Sequence, residues 1–194
     1  MPTNLHIVTG APGTGKTALL RSSRTAARTV AEPAREVLAQ QRSVGGDSAW
    51  DRNPERFVEL LLQSSIDKYE EARMWGGVVV FDRGIPDCIA YAELAGIDPT
   101  PSIEAATTYR YNRQVLVTRP WEEIYTTDDE RKGTFADAVA FHRLIESAYD
   151  RAGYTLVEIP RGPVEDRAAY VRSFIGRRDG ASGWTPMPGR RPFA

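Results

Sequence analysis

The chain has little of what marks several protein classes. Its one cysteine, Cys88, leaves no internal disulfide and excludes a cysteine-rich zinc site. It has no excess of either charge: 25 Lys and Arg stand against 26 Asp and Glu, for a net charge of −1. Proteins that coat nucleic acid or an anionic membrane carry a basic surplus, so the balance argues against nucleic acid as the main partner. No apolar run approaches the roughly 18 residues needed to cross a bilayer. The N-terminus lacks the charged start, apolar stretch and cleavage site of a secretory signal. The two histidines, His6 and His142, have no metal-ligand spacing and read as packing residues. What remains is 194 residues, 41% hydrophobic and 26% charged. That is enough to bury a core unaided, so the expectation is a one-domain cytoplasmic protein.

Five short apolar runs alternate with helical patterns. Strands are expected at Leu5–Thr9, Thr29–Glu32, Val78–Phe81, Gln114–Thr118 and Tyr154–Ile159. Helices are expected at Lys16–Ala27, Ala34–Arg42, from Asn53-Pro54 to Trp75, from Pro86 to Ala95, over Phe135–Ala152 and over Val164–Ile175. Asp98-Pro99-Thr100-Pro101 reads as loop. Strands separated by helices predict an α/β fold: a five-stranded parallel sheet with helices on both faces. The domain is expected over residues 1–176, with a polar lid segment at about 121–133. Residues 177–194 read as a flexible, basic, Gly- and Pro-rich tail.

Gly10-Ala11-Pro12-Gly13-Thr14-Gly15-Lys16-Thr17 matches G-x-x-x-x-G-K-[ST] in full, between the first strand and the first helix. Glycines let backbone N–H groups turn inward around a phosphate, and the helix N-terminus adds a positive dipole end. Lys16 would reach the terminal phosphates of a nucleotide, the Thr17 hydroxyl would ligate Mg2+, and Ala18 continues the helix beneath them. A bland alternative is a glycine-rich turn with a chance lysine. A second alternative is a dinucleotide fingerprint, since Gly13-x-Gly15-x-x-Ala18 fits it and Glu32 ends the second strand. It leaves Gly10 and Lys16-Thr17 unexplained.

Asp82 follows the most apolar strand, at the sheet edge where ligands bind in such folds. It could hold the metal or take a proton from an acceptor hydroxyl, or it could merely cap a helix. Arg83 follows and points to an anionic group. Asp87 lies in a first helical turn, where an acid is favoured anyway. Glu32 ends a strand, and Arg35 sits in a first turn against the dipole, so both are candidate substrate contacts. Arg131 and Lys132 would face phosphates if the lid closed. Arg119 and Arg161 follow the fourth and fifth strands, where a base or a phosphate could lie. Gly45, Gly46 and Trp50 form a loop that could cover an acceptor. Cys88 has no His–Asp partner nearby and no catalytic role.

In Gly10–Thr17, Arg35-Glu36, Phe81–Asp87 with Ala90-Tyr91, Trp121–Tyr125, Asp128–Arg131 and Tyr149 through Gly153-Tyr154 to Pro160, the chain resembles the small P-loop ATPases and kinases of the AAA_28 type, related to the ribosylnicotinamide kinase module. The likeness covers about residues 4–176. No arginine finger or sensor motif of ring-forming ATPases is visible. The resemblance implies the architecture of nucleoside and nucleotide kinases and names no acceptor.

These residues lead to one expectation: transfer of a phosphoryl group from ATP, with Mg2+, to a hydroxyl of a small molecule. Lys16, Asp82 and Arg131 would be catalytic; Thr17 and Asp82 would serve the metal. Gly10–Ala18, Arg119 and Arg161 would hold the nucleotide, and Glu32, Arg35, Arg83 and Asp87 the acceptor. The alternative is a nucleotide-binding switch or slow NTPase acting through a protein partner. No guanine-reading N-K-x-D sequence occurs, which leans towards ATP.

Overall fold

The computed structural model describes residues 4–23, 27–43, 50, 52–125 and 133–176. Its elements run β1 (Leu5–Gly10), α1 (Lys16–Ser22), β2 (Arg28–Val30), α2 (Pro33–Ser43), α3 (Pro54–Ala72), β3 (Val79–Asp82) and α4 (Ile85–Leu94). They continue with α5 (Thr100–Thr108), β4 (Gln114–Thr118), a 3-10 turn (Glu122–Ile124), α6 (Phe135–Arg151), β5 (Thr155–Glu158) and α7 (Val164–Gly176). The five strands form one sheet in the order β2-β3-β1-β4-β5. Every neighbouring pair is parallel. The fold is the α/β sheet expected, and β1 lies at its centre.

Alternation along the strands divides the core. Leu5, Ile7, Val79, Phe81 and Val115 point to one face, where Ile85, Ile89, Ala106, Phe141, Ile145 and Tyr149 cover them from α4, α5 and α6. Val8, Val80 and Leu116 point to the other, under Leu19 and Leu20 of α1 and Ala168 and Val171 of α7. Burial on both faces explains why these strands read as nearly unbroken apolar runs. A third cluster, with Val37, Phe57, Leu61, Cys88 and Ala92, joins α2, α3 and α4. Cys88 is buried within it, and burial pushes its thiol up to about 12.

Two expectations need correction. The segment at Asp98–Pro101 is not simply loop, because α5 starts at Thr100. Asp98 Oδ1 accepts from the Thr100 amide at 3.0 Å and its hydroxyl at 2.6 Å, which sets the helix entry. Pro101 then falls in the first turn, where its missing N–H costs nothing. The second strand is shorter and earlier than expected: β2 stops at Val30, so Glu32 lies beyond the strand, just before α2. The lid residues 126–132, with Arg131 and Lys132, the loop glycines Gly45 and Gly46, and the tail 177–194 lie outside the described residues.

Candidate functional site

β1 ends on Gly10 at the C-terminal edge of the sheet. Gly10 has φ +134°, and a Cβ there would lie 2.1 Å from the Thr118 carbonyl oxygen of β4, so only glycine fits. The chain then loops through Gly13 and Gly15, both at φ +75°, into the N-terminus of α1. Inside the loop, the Thr14 hydroxyl donates to the Ala11 carbonyl at 2.9 Å and lies 2.7 Å from Thr118 Oγ1. Lys16 opens α1 and is 6% exposed. Its Nζ donates to the carbonyls of Gly10 at 3.0 Å and Ala11 at 2.7 Å. Burial, with help from the Arg83 charge, lowers the lysine to about 8; Asp82, Glu32 and Asp87 pull the other way. Lys16 forms no ion pair among the described residues. A buried ammonium at a helix N-terminus, ringed by glycine backbone, fits a polyphosphate.

Asp82 ends β3, in register with Val8 of β1. The Thr17 hydroxyl approaches its Oδ2 at 3.4 Å. Oδ1 is buried without a hydrogen-bond partner. Burial raises the pKa of this carboxyl; Glu32 and Asp87 add to the rise, while Lys16 and Arg83 oppose it. Among the described residues no cluster of three or more His, Cys, Asp or Glu side chains makes an all-protein metal cage. Mg2+ does not require one, since it takes one or two protein oxygens together with substrate phosphates. A hydroxyl beside a carboxylate with an unused oxygen fits that donor set.

Next to Asp82 the backbone turns sharply. Arg83 has φ +71°, the only positive φ outside glycine among the described residues. Left-handed backbone at a bulky residue carries strain, and such strain persists where surrounding contacts enforce it. Here Arg83, 4% exposed, donates from Nε to Glu32 Oε1 at 2.7 Å and from Nη1 to Asp87 Oδ1 at 2.8 Å. Its guanidinium also faces the rings of Tyr91 and Phe141 at 6.0 and 5.8 Å. Asp87 further accepts from Thr9 Oγ1 at 2.7 Å, Tyr149 OH at 2.6 Å and the Gly84 amide at 2.9 Å. Arg35 completes the cluster from α2, with Nε 3.1 Å from Glu32 Oε2. Burial works against ionising Glu32, but the Arg83 and Lys16 charges outweigh it, and its pKa falls to about 2.

The structure thus brings Lys16, Thr17, Asp82, Arg83, Glu32, Asp87 and Arg35 to one end of the sheet. The charge of Arg83 is met by two carboxylates of the chain itself. Arg119 and Arg161 have partners outside that cluster. Arg119 Nε pairs with Glu158 at 2.7 Å, and Arg161 donates to the Pro120 carbonyl at 2.9 Å with its guanidinium 5.9 Å from the Trp121 ring centre. His142 is buried as expected, 3.4 Å from Glu146. Trp50 packs edge-on against Phe57 and Tyr91.

Three further residues join the site; Tyr125 and Tyr149 lie in the stretches that carry the family resemblance but had no assigned role, and Arg167 carried no local signal. Tyr149 reaches Asp87 from α6. Tyr125 lies against the phosphate loop, its ring 2.6 Å from where a Gly13 Cβ would be. Arg167 of α7 donates to the Thr14 carbonyl at 3.0 Å.

The sequence model of the AAA_28 family, described as an AAA domain, matches residues 5–167. The chain belongs to the AAA_28 family. No curated protein matches it. Among solved structures, this AAA_28 member is similar to the NadR protein in complex with NR, with a TM-score of 0.65 and 16% identity over 93% of this chain. The match covers 54% of the NadR chain, so this chain spans about half of it. It is also similar to thymidylate kinase from Ehrlichia chaffeensis, with a TM-score of 0.54 and 16% identity over 91% of this chain and 100% of the other. Shikimate kinase from Acinetobacter baumannii in complex with shikimate matches at a TM-score of 0.50 and 13% identity, over 88% and 92% of the two chains. At these identities the likeness is one of fold.

Proposed function

We propose that this protein transfers the terminal phosphoryl group of ATP to a hydroxyl of a small-molecule acceptor. The observation that carries the reading is Asp82: a buried carboxylate with one unused oxygen, beside Thr17 and the phosphate loop, at the C-terminal edge of the sheet. The loop amides and Lys16 bind the polyphosphate and draw charge off the transferring group. Bound Mg2+, held by Thr17 and Asp82, would supply further charge neutralisation. If Asp82 does not serve the metal, its unpartnered buried Oδ1 is the atom that would take the proton of an acceptor hydroxyl. Arg131, which lies outside the described residues, would add positive charge at the phosphates, and Arg119 and Arg161, after β4 and β5, would hold the nucleotide.

Glu32, Arg35, Arg83 and Asp87 act as the acceptor's wall. Because Arg83 is already paired with Glu32 and Asp87, it holds that wall in shape rather than offering a bare cation. This wall beside Asp82 favours a kinase over a switch acting through a protein partner. The kinase names among the structural neighbours agree with that choice.

The test is a screen of nucleosides, sugars, amino alcohols and hydroxylated antibiotics with Mg2+ and ATP labelled in the γ position. Label should move to one acceptor class with the wild type and not with Lys16→Ala. Release of inorganic phosphate alone, unchanged by every acceptor, would replace the kinase with a slow NTPase.

A further inference from the structure

Among the described residues, Arg167 is a buried cation with no anion of its own. It lies on the first turns of α7 and is 7% exposed. Among the described residues it forms no ion pair, although Glu165 and Asp166 precede it in the chain. Its Nη2 donates to the Thr14 carbonyl at 3.0 Å, its Nη1 lies 3.3 Å from where a Gly15 Cβ would be, and its Nε is buried without a partner. Burying a guanidinium against neutral backbone is costly unless a negative charge comes near.

The Thr14 carbonyl and the Gly15 amide belong to one peptide group. A cation at the oxygen end draws electron density along that group and leaves the N–H end more positive. Hydrogen bonds from ionised donors are about twice as strong as neutral ones, and linked bonds polarise one another. Gly15 is also the N-cap of α1, so its N–H adds to the positive end of the helix dipole. Gly15 has no side chain to block the approach of Nη1, and its φ of +75° turns the peptide to meet α7.

We propose that Arg167 is a positioning residue of the phosphate loop: a cation supplied by the last helix that polarises the Thr14–Gly15 peptide and so strengthens the loop's grip on a polyphosphate. It acts through the peptide rather than by touching the phosphates. The proposal rests on the phosphate-loop reading above and assigns a charge 153 positions away from Thr14 to the same anion site.

The test is calorimetric binding of sodium tripolyphosphate and of ATP to the full chain at low and moderate salt. The variants are Arg167→Lys, Arg167→Gln and Arg167→Met, with Lys16→Ala alongside. Lys keeps the charge and Gln keeps an N–H donor without it. Arg167→Lys should bind both ligands within about threefold of wild type; Gln and Met should each weaken both by about tenfold, with a shallower salt dependence. Wild-type affinity in Arg167→Gln, with Lys16→Ala impaired, overturns the proposal and leaves the phosphate loop intact. Wild-type affinity in Lys16→Ala would overturn the phosphate-loop reading itself. Should Arg167→Met fail to fold, the Lys and Gln pair still separates charge from hydrogen bonding. A loss confined to melting temperature, with affinity unchanged in all three variants, would make Arg167 a purely structural strut and overturn the proposal.

Discussion

The Tyr149 hydroxyl donates to Asp87 Oδ2 at 2.6 Å, joining α6 to α4 beside the buried Arg83. The same carboxylate receives Thr9, Arg83 and the Gly84 amide, so four donors converge on one side chain. Tyr149→Phe removes one donor and leaves Oδ2 with the Gly84 amide. It should cost about 1–2 kcal/mol in urea unfolding. Asp87→Ala strips Arg83 of a buried partner and should cost about 3–5 kcal/mol. Equal costs for the two variants would show that Asp87 is not the hub.

On the proposed reading, Lys16 should give nucleotide binding a pH dependence. With its pKa lowered to about 8, the ammonium of the free protein loses its proton as pH rises through 8. A polyphosphate binds the protonated form. Affinity should therefore fall above about pH 8, and binding near pH 8–9 should take up a proton, seen as a dependence of the calorimetric enthalpy on buffer. Lys16→Arg, which stays charged, should lose that proton uptake.

Asp82→Asn should separate binding from transfer. The loop amides, Lys16 and Thr17 remain, so ATP should bind within about tenfold of wild type. Single-turnover transfer should drop by roughly 10²–10⁴, the range for loss of a positioned base. Partial recovery at high Mg2+ would assign the loss to the metal shell, and no recovery would assign it to the proton.

Acid stability should follow Glu32. Its folded pKa, about 2, lies below its ordinary value of 4.5. A carboxylate with a depressed pKa contributes stability that is fully present above about pH 4.5 and lost as pH falls towards 2. The contribution is on the order of 3 kcal/mol. Glu32→Gln should flatten the fall in unfolding free energy between pH 5 and 3. An unchanged slope would remove Glu32 from the acid-labile groups.

Gly10 and Gly76 form a matched pair. A Cβ at Gly10 would meet the Thr118 backbone at 2.1 Å, whereas one at Gly76 meets nothing within 4 Å. Gly10→Ala should destabilise by about 3 kcal/mol or more and open the β1–β4 contact. Gly76→Ala should change melting temperature little.

The phosphate loop was legible because its whole mechanism lies in eight consecutive residues between a strand and a helix. The parallel sheet was legible from the same kind of local signal, apolar runs alternating with helical periods. The elements that escaped depend on partners remote in the chain. Nothing near Arg167 indicates that it meets Thr14, and nothing near Tyr149 indicates Asp87. Arg83 was expected to seek an outside anion, yet Glu32, 51 positions earlier, takes its Nε. The start of α5 was hidden by Pro99 and Pro101, which resemble loop residues until Asp98 is seen accepting from the Thr100 amide and hydroxyl.

The sheet separates two cores, with α1 and α7 on one face and α4, α5 and α6 on the other. The phosphate loop and Arg167 are anchored from the first face, while Asp87, Tyr149 and the rings around Arg83 are anchored from the second. Substitutions that reshape the second side therefore leave the first with its own packing. On the proposed reading, such a partition would let the acceptor side vary while the phosphate loop keeps its own support. An engineer wanting a new acceptor would begin with libraries at Arg35, Trp50 and Tyr91 and keep α1 and α7 untouched.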